Sequence, residues 1–359
     1  MRNKKNQKVI VAMSGGVDSS VAAALLKKEG FEVIGVFLKF WKEGDDNENR
    51  CCSSESERMA REVANKIGIP FYVFNAEREF KAKVVDYFLE EYKKGRTPNP
   101  CIICNKEIKF EFLLKKAFSW GAEFIATGHY ARIKNGRLLK GVDKNKDQSY
   151  FLWRLNKKYL DRILFPVGEY TKPEIRKLAQ KFRLPTAKTL ESQEICFVKN
   201  KVNSFIKEYL KTKPGKIIDT KGKIIGEHQG LWFYTIGQRK GLGIPQGPWF
   251  VIDKNFKKNI LIVSNNPADL ERKELTASDV NWLSSFKLPN KATAKIRYQS
   301  RFAKVRILPN RAVLRCQQGF QKRKESVRVI FQTKQKAITP GQSVVFYKGQ
   351  EVVGGGIID

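Results

Sequence analysis

No apolar run in these 359 residues is long enough to cross a bilayer. The polar, basic start, Met1–Lys8, leads into a short strand, not into a signal-peptide core with a cleavage site. The expectation is a cytoplasmic protein with no membrane part. Acidic residues are short: 36 Asp and Glu face 69 Lys and Arg, a formal net charge of +33. Either the excess is solvated surface of a lysine-rich protein, or it serves a polyanionic partner. No basic low-complexity tail is present, which points to a folded basic face and not to a disordered arm. No internal repeat of fixed period is found, which leaves distinct domains in place of a solenoid. Only six cysteines occur (Cys51, Cys52, Cys101, Cys104, Cys196 and Cys316). In a reducing compartment they make no disulfide framework, so each is a candidate for catalysis, metal binding or inert burial.

What the chain does have is material for a core. Hydrophobic residues make up 42 %, including 24 Phe, 11 Tyr and 6 Trp. The length predicts two or three domains. The first half alternates. Strands are expected at Lys8–Met13, Phe31–Phe40, Pro70–Phe74 and Phe124–Thr127. Helices are expected at Asp18–Lys28, Ser54–Ile67, Phe80–Lys94 and Lys106–Ser119. This rhythm predicts an α/β fold with a doubly wound parallel sheet. Glu43–Asn49 reads as an acidic loop, and Gly95–Pro100, with two prolines, as another. Asn135-Gly136 predicts a hairpin. Thr171-Lys172-Pro173-Glu174 predicts a capping box. Beyond about residue 200, a short helical piece leads into a stretch dense in glycine and aromatics. From Leu275 onward, short alternating segments predict a small β-barrel or sandwich. The expected domains are 1–200, a catalytic nucleotide-binding domain; 201–272, a central domain; and 273–359, a C-terminal β-barrel.

Ser14-Gly15-Gly16-Val17-Asp18-Ser19 falls between the first strand and the first helix. Ligands of parallel sheets bind at such strand ends. The two glycines let backbone N–H groups close on phosphate oxygens, and the helix adds the positive end of its dipole. Asp18 is a candidate ligand for Mg²⁺. The loop has no GK[ST] lysine and is not G-x-G-x-x-G. Its pattern is that of the PP-loop ATP pyrophosphatases, which split ATP between the α and β phosphates to adenylate an oxygen.

Cys104 lies in Asn99-Pro100-Cys101-Ile102-Ile103-Cys104-Asn105-Lys106, ahead of a predicted helix. A thiol beside a helix N-terminus and a lysine suits a nucleophile. The CxxC formed with Cys101 equally suits a redox pair or half a metal site. Cys196, between Ile195 and Phe197, reads locally as a core cysteine or a functional one, and Cys316 as packing.

These motifs together resemble one family, the bacterial tRNA-specific 2-thiouridylases. The resemblance runs nearly end to end. It is carried by AMSGGVDSS (12–20), GRTPNPCIICNKEIKF (95–110), ATGHYAR (126–132), KDQSYFL (146–152) and SQEICFV (192–198). It continues in GLWFYTIGQRKGLGI (230–244), IRYQS (296–300), AITPGQSVVFY (337–347) and GGGII (354–358). The family replaces O2 of the wobble uridine of certain tRNAs, expected to be Lys, Glu and Gln acceptors, with sulfur. The resemblance implies that ATP, as its Mg²⁺ complex, adenylates O2. Cys196 then carries a persulfide delivered by a cysteine desulfurase or relay protein, and Cys104 attacks it. A transient Cys104–Cys196 disulfide remains, which a cellular reductant resets. It further implies ATP contacts at Ala12, Met13, Ser14, Gly15, Gly16, Val17, Asp18, Ser19, Leu38 and Gly128. The implied tRNA contacts are Asn99, Pro100, Cys101, His129, Lys146, Asp147, Gln148, Arg297, Tyr298 and Gln342.

Position 101 departs from those family members that have Asp there, so Cys101 is given no catalytic role. It raises an alternative, an iron–sulfur cluster on Cys101, Cys104 and Cys196. Two other readings differ in class: a PP-loop ligase acting on a small molecule, indifferent to both cysteines, and an RNA-binding protein with a vestigial loop. A monomer meeting one tRNA is the default expectation.

Overall fold

The computed structural model describes residues 6–42, 53–189, 195–198, 201–245, 247–310 and 325–359. The expected acidic loop, Cys51, Cys52 and Cys316 lie outside the described residues.

In chain order the first elements are β1 (Lys8–Ala12), α1 (Val17–Lys28), β2 (Glu32–Lys39), α2 (Ser54–Ile67), β3 (Phe71–Asn75), α3 (Glu77–Phe80) and α4 (Asp86–Lys93). There follow α5 (Pro100–Cys104), α6 (Leu113–Ser119), β4 (Phe124–Ala126), β5 (Ala131–Lys134), β6 (Arg137–Lys140), β7 (Ile163–Leu164), α7 (Lys172–Lys181) and α8 (Val202–Tyr209). The chain divides into two compact units. One holds residues 1–85, 100–199 and 350–353, and the other 86–99, 200–349 and 354–359.

The first unit is built on a parallel sheet in the order β3-β2-β1-β4-β7. β1 is Lys-Val-Ile-Val-Ala, and Val9, Ile10 and Val11 are all fully buried. Successive side chains point to opposite faces, so both faces of the sheet are covered, as its near-continuous apolar strands require. On one face Val9, Val11, Val33 and Phe37 pack with Val21, Ala22 and Leu25 of α1, Val63 of α2 and Ile175 of α7. α2 starts on the Ser53 hydroxyl, which accepts from Ser56 N–H at 3.1 Å, and stops at Gly68 (φ 65°). The Asn135-Gly136 turn takes positive φ at both residues and joins β5 to β6 as a hairpin. The capping box at Thr171 and Glu174 is formed. The helices expected at 80–94 and 106–119 contain wide, π-type turns at Lys81–Val85 and Asn105–Phe112.

The second unit contains two sheets. β8 (Gly215–Ile218), β9 (Ile224–His228), β10 (Phe250–Asn255) and β11 (Ile260–Ser264) make a sheet in the order β10-β11-β8-β9. The glycine- and aromatic-rich stretch therefore contains strands that its composition conceals. β12 (Glu271–Trp282), β13 (Asn290–Lys295), β14 (Ala303–Pro309), β15 (Val327–Lys336), β16 (Ser343–Lys348) and β17 (Glu351–Ile358) run β12-β15-β14-β13-β16-β17. β17 pairs back onto β12 from Ala277↔Ile358 to Trp282↔Gly354, which closes an antiparallel barrel. Ala277, Val305, Ile307, Val329, Phe331, Val344 and Phe346 form its buried interior.

Candidate active site: a nucleotide loop and the cysteine segments

The nucleotide loop starts where β1 ends. Met13 N–H donates to the Val36 carbonyl at 2.8 Å, the last tie to the sheet. Gly15 then takes φ 75°, and Gly16 caps α1. The Ser19 hydroxyl folds back into the loop. It accepts from Ser14 N–H at 3.1 Å, lies 3.3 Å from the Ser14 hydroxyl and donates to the Gly16 carbonyl at 3.1 Å. The loop is thus held open by its own serines, ahead of the N-terminal end of α1.

Two glycine positions are fixed by close approach. A Cβ on Gly15 would lie 2.3 Å from the Ser56 carbonyl oxygen of α2. A Cβ on Gly128 would lie 2.6 Å from Ser19 N and 2.7 Å from the Asp18 carbonyl carbon. Gly128 follows β4, the neighbour of β1, so the sheet order brings it against the start of α1. Leu38, near the carboxyl end of β2, is buried on the other side of β1. Of the expected ATP positions, the loop residues and Gly128 meet in one place.

Asp18, the magnesium candidate, already has both oxygens engaged. Lys172 Nζ donates to them at 2.7 and 2.9 Å, and the Tyr130 hydroxyl donates to Oδ1 at 2.7 Å. Sequence reasoning missed Lys172 and Tyr130. Lys172 was visible only as part of a capping box. The signal that could have singled it out is a cation in the first turn of a helix, where the dipole disfavours it.

The cysteine segment differs from expectation. Its helix begins at Pro100, so Cys104 lies one turn inside it and not ahead of its N-terminus. Cys101 is exposed, Cys104 is buried at 6 % exposure and Cys196 is intermediate. Lys106 Nζ donates to Glu107 Oε1 at 2.9 Å, while Lys83 donates to Oε2 at 2.8 Å. Burial pushes the Glu107 carboxyl up, but these two lysines outweigh it and hold it below the usual range. Asn105 anchors the next turn by donating to the Phe151 carbonyl at 3.2 Å. Cys196 is held through Phe197, buried edge-on against Phe80, which stacks on Phe40.

Among the described residues, no three His, Cys, Asp or Glu side chains are grouped as a metal site requires. Cys101, Cys104 and Cys196, the thiolates of the cluster alternative, are all described and are not grouped in that way.

The expected tRNA positions divide into accessible and internal. His129 is only 9 % exposed, packed beside Phe110 and Phe165, with Nδ1 2.7 Å from the Thr127 hydroxyl. Burial, and secondarily the charge of Lys109, hold its imidazole well below the usual range, hence neutral. Asp147 accepts from the N–H groups of Gly141 and Ser149, and Gln148 Oε1 accepts from Tyr130 N–H at 2.9 Å. Both therefore shape the loop that carries Lys146. Pro100 is buried, at the first position of α5.

In the second unit, Arg297 is exposed, and its guanidinium donates to the carbonyls of Lys336 and Ala337. The Tyr298 carbonyl accepts from Lys295 Nζ at 2.9 Å. Gln342 Nε2 donates to the Thr97 carbonyl at 2.8 Å, and Thr97 N–H to the Pro340 carbonyl at 2.8 Å. The segment Gly95–Asn99, which leads into the cysteines, is thereby strapped to the barrel. Lys254 completes the strap by donating to the carbonyls of Gly95 at 2.6 Å and Tyr234 at 2.7 Å. Burial pushes the Lys254 ammonium down to about 8.

A parallel sheet whose first turn is a Ser-Gly-Gly-x-Asp-Ser loop defines a class of nucleotide-binding domain, and the comparisons agree. Residues 7–200 match a family model described as the tRNA methyl transferase HUP domain. Residues 203–265 match its PRC-barrel domain, and 272–358 an aminomethyltransferase beta-barrel domain. Within that class the chain belongs to the tRNA-specific 2-thiouridylase (MnmA) family. It is 47 % identical to the tRNA-specific 2-thiouridylase MnmA of Lactiplantibacillus plantarum, over 100 % of this chain and 97 % of that protein. It is 47 % identical to that of Clostridioides difficile, over 99 % and 98 %. With MnmA 1 of Thermoanaerobacter pseudethanolicus the identity is 48 %, over 99 % of each.

Proposed function

We propose that this protein thiolates tRNA, replacing O2 of the wobble uridine with sulfur at the expense of ATP. The observation that carries this reading is the joint presence, in one unit, of the Ser14–Ser19 loop closed by Gly128 and of the two cysteine segments 100–104 and 195–198. A uracil carbonyl oxygen leaves poorly. ATP held by the loop's N–H groups and helix dipole is attacked at its α-phosphorus by O2, and pyrophosphate departs with the bonding pair. AMP is then the leaving group at C2.

Sulfur arrives as a persulfide on Cys196. Cys104 attacks the Cys196 sulfur, the S–S bond of the persulfide breaks, and the terminal sulfur passes to C2 as AMP leaves. A Cys104–Cys196 disulfide remains, and a dithiol reductant returns the two electrons. The persulfide comes from a sulfur-donor protein, a cysteine desulfurase or relay. The expected acceptors are Lys, Glu and Gln tRNAs.

The three regions divide the work. Residues 1–200 carry the chemistry, while 201–272 and 273–359 hold the tRNA body. Arg297, Tyr298, Asn99, Cys101 and Lys146 face RNA, whereas His129, Asp147, Gln148, Pro100 and Gln342 serve from within by shaping the segments around them. Magnesium enters with ATP, and Asp18 is the carboxylate suited to it once exchanged from Lys172. The charge of +33 supports binding through tRNA phosphates.

The test is direct. Protein, ATP, Mg²⁺, a persulfide donor and unmodified tRNA are combined, and the nucleosides are read by mass spectrometry, which also distinguishes sulfur replacement from methylation. The wild type yields 2-thiouridine, and Cys104→Ser and Cys196→Ser each yield none. Full activity in either variant would sink the persulfide route.

A further inference from the structure

The loop lacks the lysine that phosphate loops of the GK[ST] type place against the phosphates. The fold supplies one from a distant point of the chain. Lys172 stands 154 positions from Asp18 in sequence, yet its ammonium bridges both Asp18 oxygens. It is 7 % exposed, and it lies 5.7 Å from the centre of the Tyr130 ring. Two features show that α7 itself has no use for it. A lysine in the first helical turn opposes the dipole, and the cap is already satisfied by Thr171 and Glu174. Lysines are almost never buried without a partner. Here the partner is the acidic residue of the nucleotide loop, one position before Ser19.

We propose that Lys172 is a catalytic residue of the adenylation step, the cation that the loop itself lacks. This rests on the ATP-dependent reading above. Asp18 holds the ammonium beside the loop. Asp18 would be the carboxylate to hold the magnesium that accompanies ATP, and the ammonium is placed to turn to the phosphates. As uridine O2 bonds to the α-phosphorus and the bond to pyrophosphate breaks, negative charge accumulates on the departing oxygens. A fixed cation there stabilises the transition state more than the ground state. The ammonium keeps its proton throughout, so the step needs no further reactant.

The experiment compares wild type, Lys172→Met and Lys172→Arg for ATP affinity, single-turnover pyrophosphate release with tRNA, and thermal melting. Lys172→Met is expected to lose pyrophosphate release by about 100-fold or more, with ATP affinity changed less than tenfold. Lys172→Arg is expected to recover part of the rate, because it keeps the charge but not the compact geometry. Release within threefold of wild type in Lys172→Met overturns the proposal. So does a loss of rate matched by an equal loss of ATP affinity.

A second measurement uses the wild type and covers a Lys172→Met that fails to fold. An acyl-phosphate derivative of ATP, which acylates a lysine lying against the polyphosphate, is expected to label Lys172, with excess ATP suppressing the label. Labelling elsewhere with Lys172 untouched overturns the proposal. Wild-type protein that releases pyrophosphate but forms no 2-thiouridine would instead defeat the thiolation reading and leave the Lys172 result standing.

Discussion

At the scale of single residues, the nucleotide loop depends on atoms that are absent. Gly128 faces backbone, not a flexible side chain, so a methyl group there moves Ser19 and Asp18 or moves β4. Gly128→Ala is expected to weaken ATP binding about tenfold or more, roughly 1.4 kcal/mol, and to cost about 1–3 kcal/mol of stability through overpacking. Calorimetric titration with ATP and a denaturant melt check both. Gly15→Ala meets the Ser56 carbonyl and must also hold φ 75°, so it is expected to be at least as damaging. The sequence marked Gly15 by its place in the motif. Gly128 was marked by family resemblance alone, because its closeness to Ser19 follows from β4 lying beside β1, a pairing of segments more than a hundred residues apart.

At the scale of elements, the strap from Gly95 to Asn99 is held within the second unit by side chains distant in sequence. Lys254 ties it down with two hydrogen bonds to carbonyls, and no carboxylate is among those acceptors. Its ammonium is lowered from 10.5 to about 8 by burial, with Asp253 only partly opposing. The unfolded chain therefore binds the extra proton between about pH 8 and 10.5, and stability rises with pH across that window. The rise attributable to Lys254 is about 1–3 kcal/mol, discounted because the side chain is only partly buried by area. In Lys254→Met this rise is expected to vanish relative to wild type, measured as the difference in denaturation free energy between pH 7.5 and pH 10. An unchanged pH dependence would show that Lys254 is charged and solvated in the fold. The strap was legible in sequence only as a loop with two prolines. Which carbonyls it offers, and to what, depends on partners more than 150 positions away in the chain.

At the scale of the whole molecule, charge is the dominant property. A net +33 spread over folded domains predicts binding to tRNA that is strong at low salt and steeply lost as salt rises. The logarithm of affinity is expected to fall by roughly 0.7 to 0.9 per phosphate contacted for each tenfold rise in salt. Filter binding of unmodified tRNA at several salt concentrations measures the slope. A flat response would mean that the basic residues are surface solvation only. Arg297→Ala is expected to reduce the slope by about one unit if its guanidinium leaves the Lys336 and Ala337 carbonyls for a phosphate.

What the sequence determined by itself is whatever depends on residues close together in the chain. The strand–loop–helix phosphate turn, the Asn135-Gly136 hairpin, the capping box, the alternation that makes the sheet, and the charge all rest on neighbours within a few positions, where backbone preference and side-chain type decide the outcome. What only the tertiary structure decided is which charged and polar groups are paired. Lys83 goes to Glu107, His129 lies among rings, and Lys172 reaches Asp18. The physical reason is that a buried polar group takes its partner from whatever element packing brings beside it, and that packing is set by strand order and not by distance along the chain.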